Sequence, residues 1–181
     1  MDAAERLFLE KGVANTSVDE IVAAADVAKG TFYVHFASKE HLMAALQQRF
    51  VTSFADLIQA AMDRRAAGDW RGRLRAWVTA GMNGYLDRVA LHDVVFHEIQ
   101  VSDRRLKHEN VVVTQLTAFL EGGRQAGAWL VAEPHLTAVM LFSALHGAVD
   151  DALATDTPVN RKRLVRALSE FCERAVAVRV L

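Results

Sequence analysis

Along most of the chain, apolar residues recur at the three-and-four spacing of an amphipathic helix rather than in the alternation of a strand. Ala4, Leu7, Phe8 and Lys11 fall at helical spacing between Asp2 and Lys11, and Gly12 follows where a C′ glycine would stop that helix. Asn15-Thr16-Ser17 punctuates. Ser17 and Glu20 then make an S-x-x-E capping box ahead of Val18, Ile21, Val22 and Ala25, which predicts a helix of barely two turns. Asp26-Val27-Ala28 breaks it, and a second short helix is expected from about Lys29 to Phe36, with Phe32 and Phe36 on one face. Ser38 is placed to cap a long fourth helix from about Lys39 to Arg65, carrying Leu42, Leu46, Phe50, Phe54, Leu57 and Ala61. At 1.5 Å per residue that helix would be roughly 40 Å long. It is too long to serve a small N-terminal unit alone, so it is expected to join two bodies.

Ala66-Ala67-Gly68-Asp69 ends the long helix and caps the next, from Trp70 to about Arg88. A shorter helix is expected near Leu91 to Gln100, then a polar loop from Ser102 to Asn110, then a helix from Val111 to Ala126 that Gly127 stops. Pro134 suits the first turn of a helix reaching Leu153. That helix carries two apolar stripes: Val139, Phe142, His146, Val149 and Leu153, and Ala138, Leu141, Leu145, Ala148 and Ala152. A helix apolar on both sides is buried on both sides. The last helix, after Thr157-Pro158, aligns Leu164, Leu168, Phe171, Ala175 and Val178. The two C-terminal helices are therefore expected to meet a second subunit through Leu141, Leu145, Ala148, Leu164, Leu168 and Phe171. The sum is an all-α fold of about nine helices, with residues 1–46 as one domain and 47–181 as a second.

Composition agrees with a packed helical protein: 52% of the 181 residues are hydrophobic, enough for a sizeable core, and two prolines leave little punctuation for strands. The net charge of −1 gives no bulk attraction to nucleic acid or anionic membrane. A single cysteine excludes an internal disulfide and a CxxC metal site, and suits a reducing cytoplasm. The longest apolar stretch, Leu136 to Val149, is about 14 residues, short of a bilayer span. No basic segment precedes an apolar one at the start, so a soluble cytoplasmic protein without membrane partners is expected. No G-x-S-x-G, phosphate loop or paired carboxylates appear, so neither an enzyme nor a cofactor is expected. His92, His97 and Glu98 are not spaced to converge on one helical face, and no metal site is expected from them.

The chemistry concentrates near the start. Two short helices joined by a tight turn, the second beginning at a glycine and rich in polar and aromatic groups, form a helix-turn-helix pattern. In Lys29-Gly30-Thr31-Phe32-Tyr33-Val34-His35-Phe36, inward Phe32 and Phe36 leave Gly30, Thr31, Tyr33, Val34 and His35 facing out. Gly30 lets the backbone approach a phosphate, to which the free N–H groups of the helix start can donate. Thr31, Tyr33 and His35 supply hydrogen bonds to phosphates or base edges, and Val34 an apolar contact to a thymine methyl. Lys39 is a point charge for the flanking phosphate backbone.

The run Thr16-Ser17-Val18, Glu20-Ile21-Val22 and Lys29-Gly30-Thr31-Phe32-Tyr33-Val34-His35-Phe36-Ala37-Ser38-Lys39-Glu40 closely resembles the TetR-type transcriptional regulators. The resemblance is specific over about residues 3 to 46 and architectural beyond. It implies a homodimer, probing palindromic double-stranded operator DNA, that releases it when a small-molecule effector enters the second domain, usually as a repressor. By position, Thr16 and Ser17 would meet phosphate at the second helix start, Lys29, Gly30, Thr31, Tyr33, Val34 and His35 would lie in or beside the major groove, and Lys39 would sit on the flanking backbone. The chain departs from the family where Asp26 replaces the usual turn glycine, where Ala28 replaces a frequent serine, and at the acidic Asp19. Residues 1–50 hold five Lys/Arg against seven Asp/Glu, a net of −2, poor for electrostatic affinity. A start almost inside the first helix, without a basic arm, leads us to expect a shortened N terminus.

In the second domain, Trp77, Met82, Tyr85, Phe96, His97, Phe119, Trp129, Met140 and His146 are candidates to line an effector cavity, a lining that would suit a mostly apolar, ring-bearing ligand. Ordinary core packing is the competing reading for each of them. Cys172 is expected to be a buried small hydrophobe. A helical ligand-binding protein with a decayed DNA-binding domain is the alternative reading of the whole chain.

Overall fold

The computed structural model describes residues 1–96, 110–155 and 157–176, and among these it is entirely helical. The elements are α1 (Asp2–Lys11), α2 (Val18–Ala24), α3 (Lys29–His35), α4 (Lys39–Asp63), α5 (Trp70–Leu86), α6 (Val89–Phe96), α7 (Val111–Gln125), α8 (Pro134–Leu153) and α9 (Arg161–Ala175). The order and approximate limits agree with the periodicity. His97 and Glu98, most of the expected Ser102–Asn110 loop, and Val178 lie outside the described residues.

The chain divides into two compact units. The first contains residues 1–51 together with the described part of the segment that begins at Arg88. Its core gathers Ala4 and Phe8 of α1, Ile21 and Val22 of α2, Phe32 of α3, Leu42, Met43, Leu46 and Phe50 of α4, and Val94 and Val95 of α6. Helix α6 is remote in sequence yet completes this core: Gln47 donates through Nε2 to the Val95 carbonyl, and the Phe50 ring meets His92 and Phe96 with centroids 6.0 and 5.8 Å apart. Arg49 of α4 reaches back to Asp2 and Glu5, pinning α1 across its acidic first turn.

The second unit holds residues 52–87 and, beyond α6, helices α7, α8 and α9. Helix α8 packs on α7, α9 and α5, and α5 also packs on α9. Leu74, Trp77, Val78 and Met82 of α5, Leu116 and Leu120 of α7, and Leu141, Leu145 and Val149 of α8 are all essentially excluded from solvent. The Trp129 indole donates to the Leu120 carbonyl at 2.8 Å and is boxed by Trp70 and Phe119, with centroids 5.6 and 5.2 Å away. Gly123 is required beneath that ring, because a Cβ there would overlap it.

This packing corrects the expected subunit contact. Leu141 and Leu145 are 1% exposed and Leu168 is 5% exposed within the single chain, so they belong to the protomer core. Ala148 and Leu164 are half-buried, and only Phe171 of the expected set stands well out, at 45%. The open apolar face of α8 is instead Leu136, Val139, Met140 and Leu153. By length and composition α8 could cross a membrane, with a mean hydropathy of 1.3, which revises the shorter apolar span read from sequence. Its apolar excess has another account: one face packs into the second unit, and the other is uncovered in a single chain.

Candidate nucleic-acid interface

The short helices are set by local chemistry. Ser17 caps α2: its Oγ accepts from the Glu20 amide while the Glu20 carboxylate accepts from the Ser17 amide, the reciprocal capping box expected from the sequence. Lys11 also pairs with Glu20. That contact, followed by the Ser17 hydrogen bonds, holds the Glu20 carboxyl down at about 2. The turn to α3 passes through Asp26 at φ 53°, the one non-glycine residue with positive φ among the described residues. The family's glycine preference therefore has a backbone cause, and Asp tolerates that left-handed conformation better than most side chains. Ser38 starts α4, its Oγ accepting from the His41 amide at 3.3 Å.

Helix α3 is held by a single fully buried side chain, Phe32, with half-buried Phe36 beside it at 5.6 Å between centroids. The rest of the helix is open. Thr31, Tyr33, Val34 and His35 are exposed, Val34 at 80% and Tyr33 at 52%, and a Cβ on Gly30 would meet nothing within 4 Å. Lys29 is exposed but not independent: its ammonium lies 2.7 Å from Asp19 of α2, and that hydrogen bond raises its pKa. A phosphate approaching Lys29 competes with Asp19.

Two residues expected at the phosphate backbone have structural work instead. Thr16 is 1% exposed and its hydroxyl donates to the Gly12 carbonyl at 2.8 Å, closing the loop between α1 and α2, so its side chain is turned away from any phosphate. Lys39 donates to the carbonyls of Val13 (2.8 Å) and Thr16 (3.1 Å). It buttresses the same loop and keeps one ammonium proton for another partner. Lys39→Met is therefore expected to cost about 1–3 kcal/mol of local stability, seen as faster hydrogen exchange at Thr16 and Ser17 as well as weaker DNA binding. Unchanged exchange would leave Lys39 as a phosphate charge alone.

A compact helical unit that presents one polar, aromatic helix face above a capped partner helix fits the family model for bacterial regulatory proteins of the tetR family, which matches residues 1–46. The HTH-type transcriptional activator FasR of Mycolicibacterium smegmatis is 27% identical over 175 residues, covering 93% of this chain and 77% of FasR. The HTH-type transcriptional repressor DhaR of Mycobacterium sp. strain GP1 is 38% identical over 58 residues, 32% of this chain and 29% of DhaR. The fatty acid degradation regulator FadR of Bacillus halodurans superposes with a TM-score of 0.76 at 25% identity, over 98% of this chain and 97% of that one. Residues 1–46 are a DNA-binding domain of the tetR family of bacterial regulatory proteins, and the fold of the whole chain matches that family's. Its relatives are DNA-binding regulators rather than enzymes.

Beyond this tetR-type domain, the expected cavity residues do not form one site. Trp77, Met82, Tyr85, Phe119 and Trp129 are buried in the second unit. Tyr85 stacks on half-buried His146 at 5.0 Å and donates to Asp150 at 2.7 Å, and burial pushes the His146 pKa down. Phe119 and Trp129 sit in the separate indole cluster. Phe96 belongs to the first unit, Met140 is 53% exposed on α8, and His97 lies outside the described residues. Burial raises the Cys172 thiol to about 12, in keeping with a small core hydrophobe. No group of three metal-ligating side chains occurs among the described residues. A concavity of about 590 Å³ is instead a groove between α4 and α5. None of the expected cavity residues lines it, and Arg64 and Arg65 at its edge were read from sequence only as the end of a helix.

Proposed function

We propose that this protein is a cytoplasmic, ligand-responsive repressor that binds a palindromic operator as a homodimer through α3 and is released by a small molecule. The observation that carries the reading is the exposed row Thr31, Tyr33, Val34 and His35 on a helix anchored from behind by Phe32. Hydroxyl, imidazole and methyl groups on one short helix suit base edges and phosphates of the major groove. Ser17 and Gly30 bring helix starts and close backbone approach, and Lys29 contributes charge once freed from Asp19. Paired recognition helices would stand about one turn of DNA apart, roughly 34–36 Å.

The subunit contact in this proposal is the uncovered face of α8, Leu136, Val139 and Met140 with the open backbone at Gly147, continued by Phe171 of α9. Helix α4 contributes to both units, which makes it the element through which an effector would change the spacing of the two α3 helices. An effector shifts that equilibrium only by binding one spacing better than the other. The near whole-length similarity to a protein named as an activator favours a second reading in which the same dimer raises transcription. Promoter output in a strain lacking the protein separates the two: it rises for a repressor and falls for an activator.

The direct test is Tyr33→Ala in a gel-shift series on genomic fragments, including the region upstream of its own coding sequence. Operator affinity is expected to fall about tenfold, the loss of one well-placed hydrogen bond with its stacking contact. The salt slope should stay unchanged, because a neutral hydroxyl releases no counterion. Wild-type affinity in the variant would remove Tyr33 from the interface.

A further inference from the structure

The groove between α4 and α5 is chemically asymmetric. The two helices run antiparallel, since Gly84 lies against Phe54 and Leu57 whereas Arg73 pairs with Asp63 at the other end. Leu57 and Ala61 of α4 and Ala76 and Ala80 of α5 give the groove an apolar floor. From Ala76 to Gly84 that floor is about 12 Å long at 1.5 Å per residue. Arg64, Arg65 and Arg75 gather at one end, and Asn83 and Asp87 at the other. Two of these charges are already satisfied from outside: Arg75 pairs with Glu173 of α9, and Asp87 with Arg161 at 2.5 Å. Arg64 and Arg65 are exposed and have no carboxylate partner among the described residues. The groove therefore keeps two uncompensated guanidinium groups at one end of an apolar trough.

We propose that this groove binds an amphipathic organic anion, with its carboxylate or phosphate on Arg64 and Arg65 and its apolar body along Ala61, Ala76 and Ala80. Guanidinium forks match such oxyanions in a bidentate manner. The unbranched alanine floor leaves room for methylene groups that would otherwise stay in water. The site deepens the reading of the chain as ligand-responsive, and it rests on that reading only for its biological purpose.

Octanoate titrated into the full-length protein, followed by calorimetry and by NMR of the arginine Nε–H groups, tests the site without DNA. Saturable binding is expected, with 1-octanol and inorganic phosphate each at least about tenfold weaker, because each keeps only one half of the recognition. Arg64→Gln/Arg65→Gln should weaken octanoate about tenfold or more, the worth of charge-assisted hydrogen bonds, while leaving octanol unaffected. Ala80→Phe, which keeps both arginines and fills the floor, should abolish octanoate binding. Absence of saturable binding, phosphate binding as tightly as octanoate, or affinity unmoved by both variants would each overturn the proposal. Gel shifts on the same samples keep the two readings apart: a failed titration with operator binding intact sinks the groove alone.

Discussion

A Gly147→Arg chain is expected to be a folded monomer that no longer holds operator DNA. Gly147 is exposed on α8, and a side chain there meets nothing within 4 Å. The substitution is sterically free in one protomer, and arginine is a better helix former than glycine by roughly 0.8 kcal/mol. In the proposed dimer the same position lies on the face of Leu136, Val139 and Met140, where closing the seam would have to bury a long guanidinium side chain that a single chain leaves in water. Desolvating that charge costs several kcal/mol even beside Asp150 and Asp151, enough to dissociate a dimer at micromolar concentration. Losing the second recognition helix then removes an avidity of about 10²–10⁴ in operator affinity. Sedimentation velocity with a thermal melt checks this: monomer mass with an undiminished melting temperature is the expected pair. A dimer persisting at low micromolar concentration places the contact elsewhere. Leu168→Asp, the substitution the sequence pattern suggests for this purpose, would be uninformative, because Leu168 is core within the protomer and the chain would unfold for that reason.

Phe32→Ala should remove DNA binding by a different route. Phe32 is the one fully buried side chain of α3, a helix of seven residues that is too short to hold itself. Truncating a buried phenylalanine costs about 3–5 kcal/mol, a large share of the stability of any small domain. The loss falls on the element that carries Thr31, Tyr33, Val34 and His35. Hydrogen exchange should show the α3 amides losing protection first, with gel-shift affinity down by at least two orders of magnitude, while amides of α7 and α8 keep theirs. Retained protection in α3 would mean that Phe36 and the flanking turns suffice to hold it. Together with Tyr33→Ala, the variant separates the residue that positions the surface from one that makes contact.

The short helices and their order were legible because their determinants are local. The Ser17–Glu20 capping box, the Gly12 stop and the Phe32/Phe36 spacing each act within a few residues, and each is present as read. The identity of α3 as an outward-facing helix followed from the same spacing. Thr16 and Lys39 were not legible in this way. Their residue types suit phosphate, but their partners are the carbonyls of Gly12, Val13 and Thr16, and for Lys39 those lie across the first unit in a loop well before it in the chain. The Asp19–Lys29 pair likewise forms only when α2 and α3 come together.

Sequence by itself determined the helical class, the limits of nearly every element and the side chains that face outward from α3, because hydrogen-bonded caps and the 3.6-residue period are properties of contiguous residues. Tertiary structure alone decided which apolar positions of α8 are core and which are open, that α6 completes the first unit, and that Arg64 and Arg65 edge an alanine-floored groove. Both stripes of α8 are apolar, so periodicity ranks them equally. The packing of α5, α7 and α9 on α8, from segments far away along the chain, buries Leu141 and Leu145 together with Val149 of the other stripe and leaves Leu136, Val139 and Met140 in water.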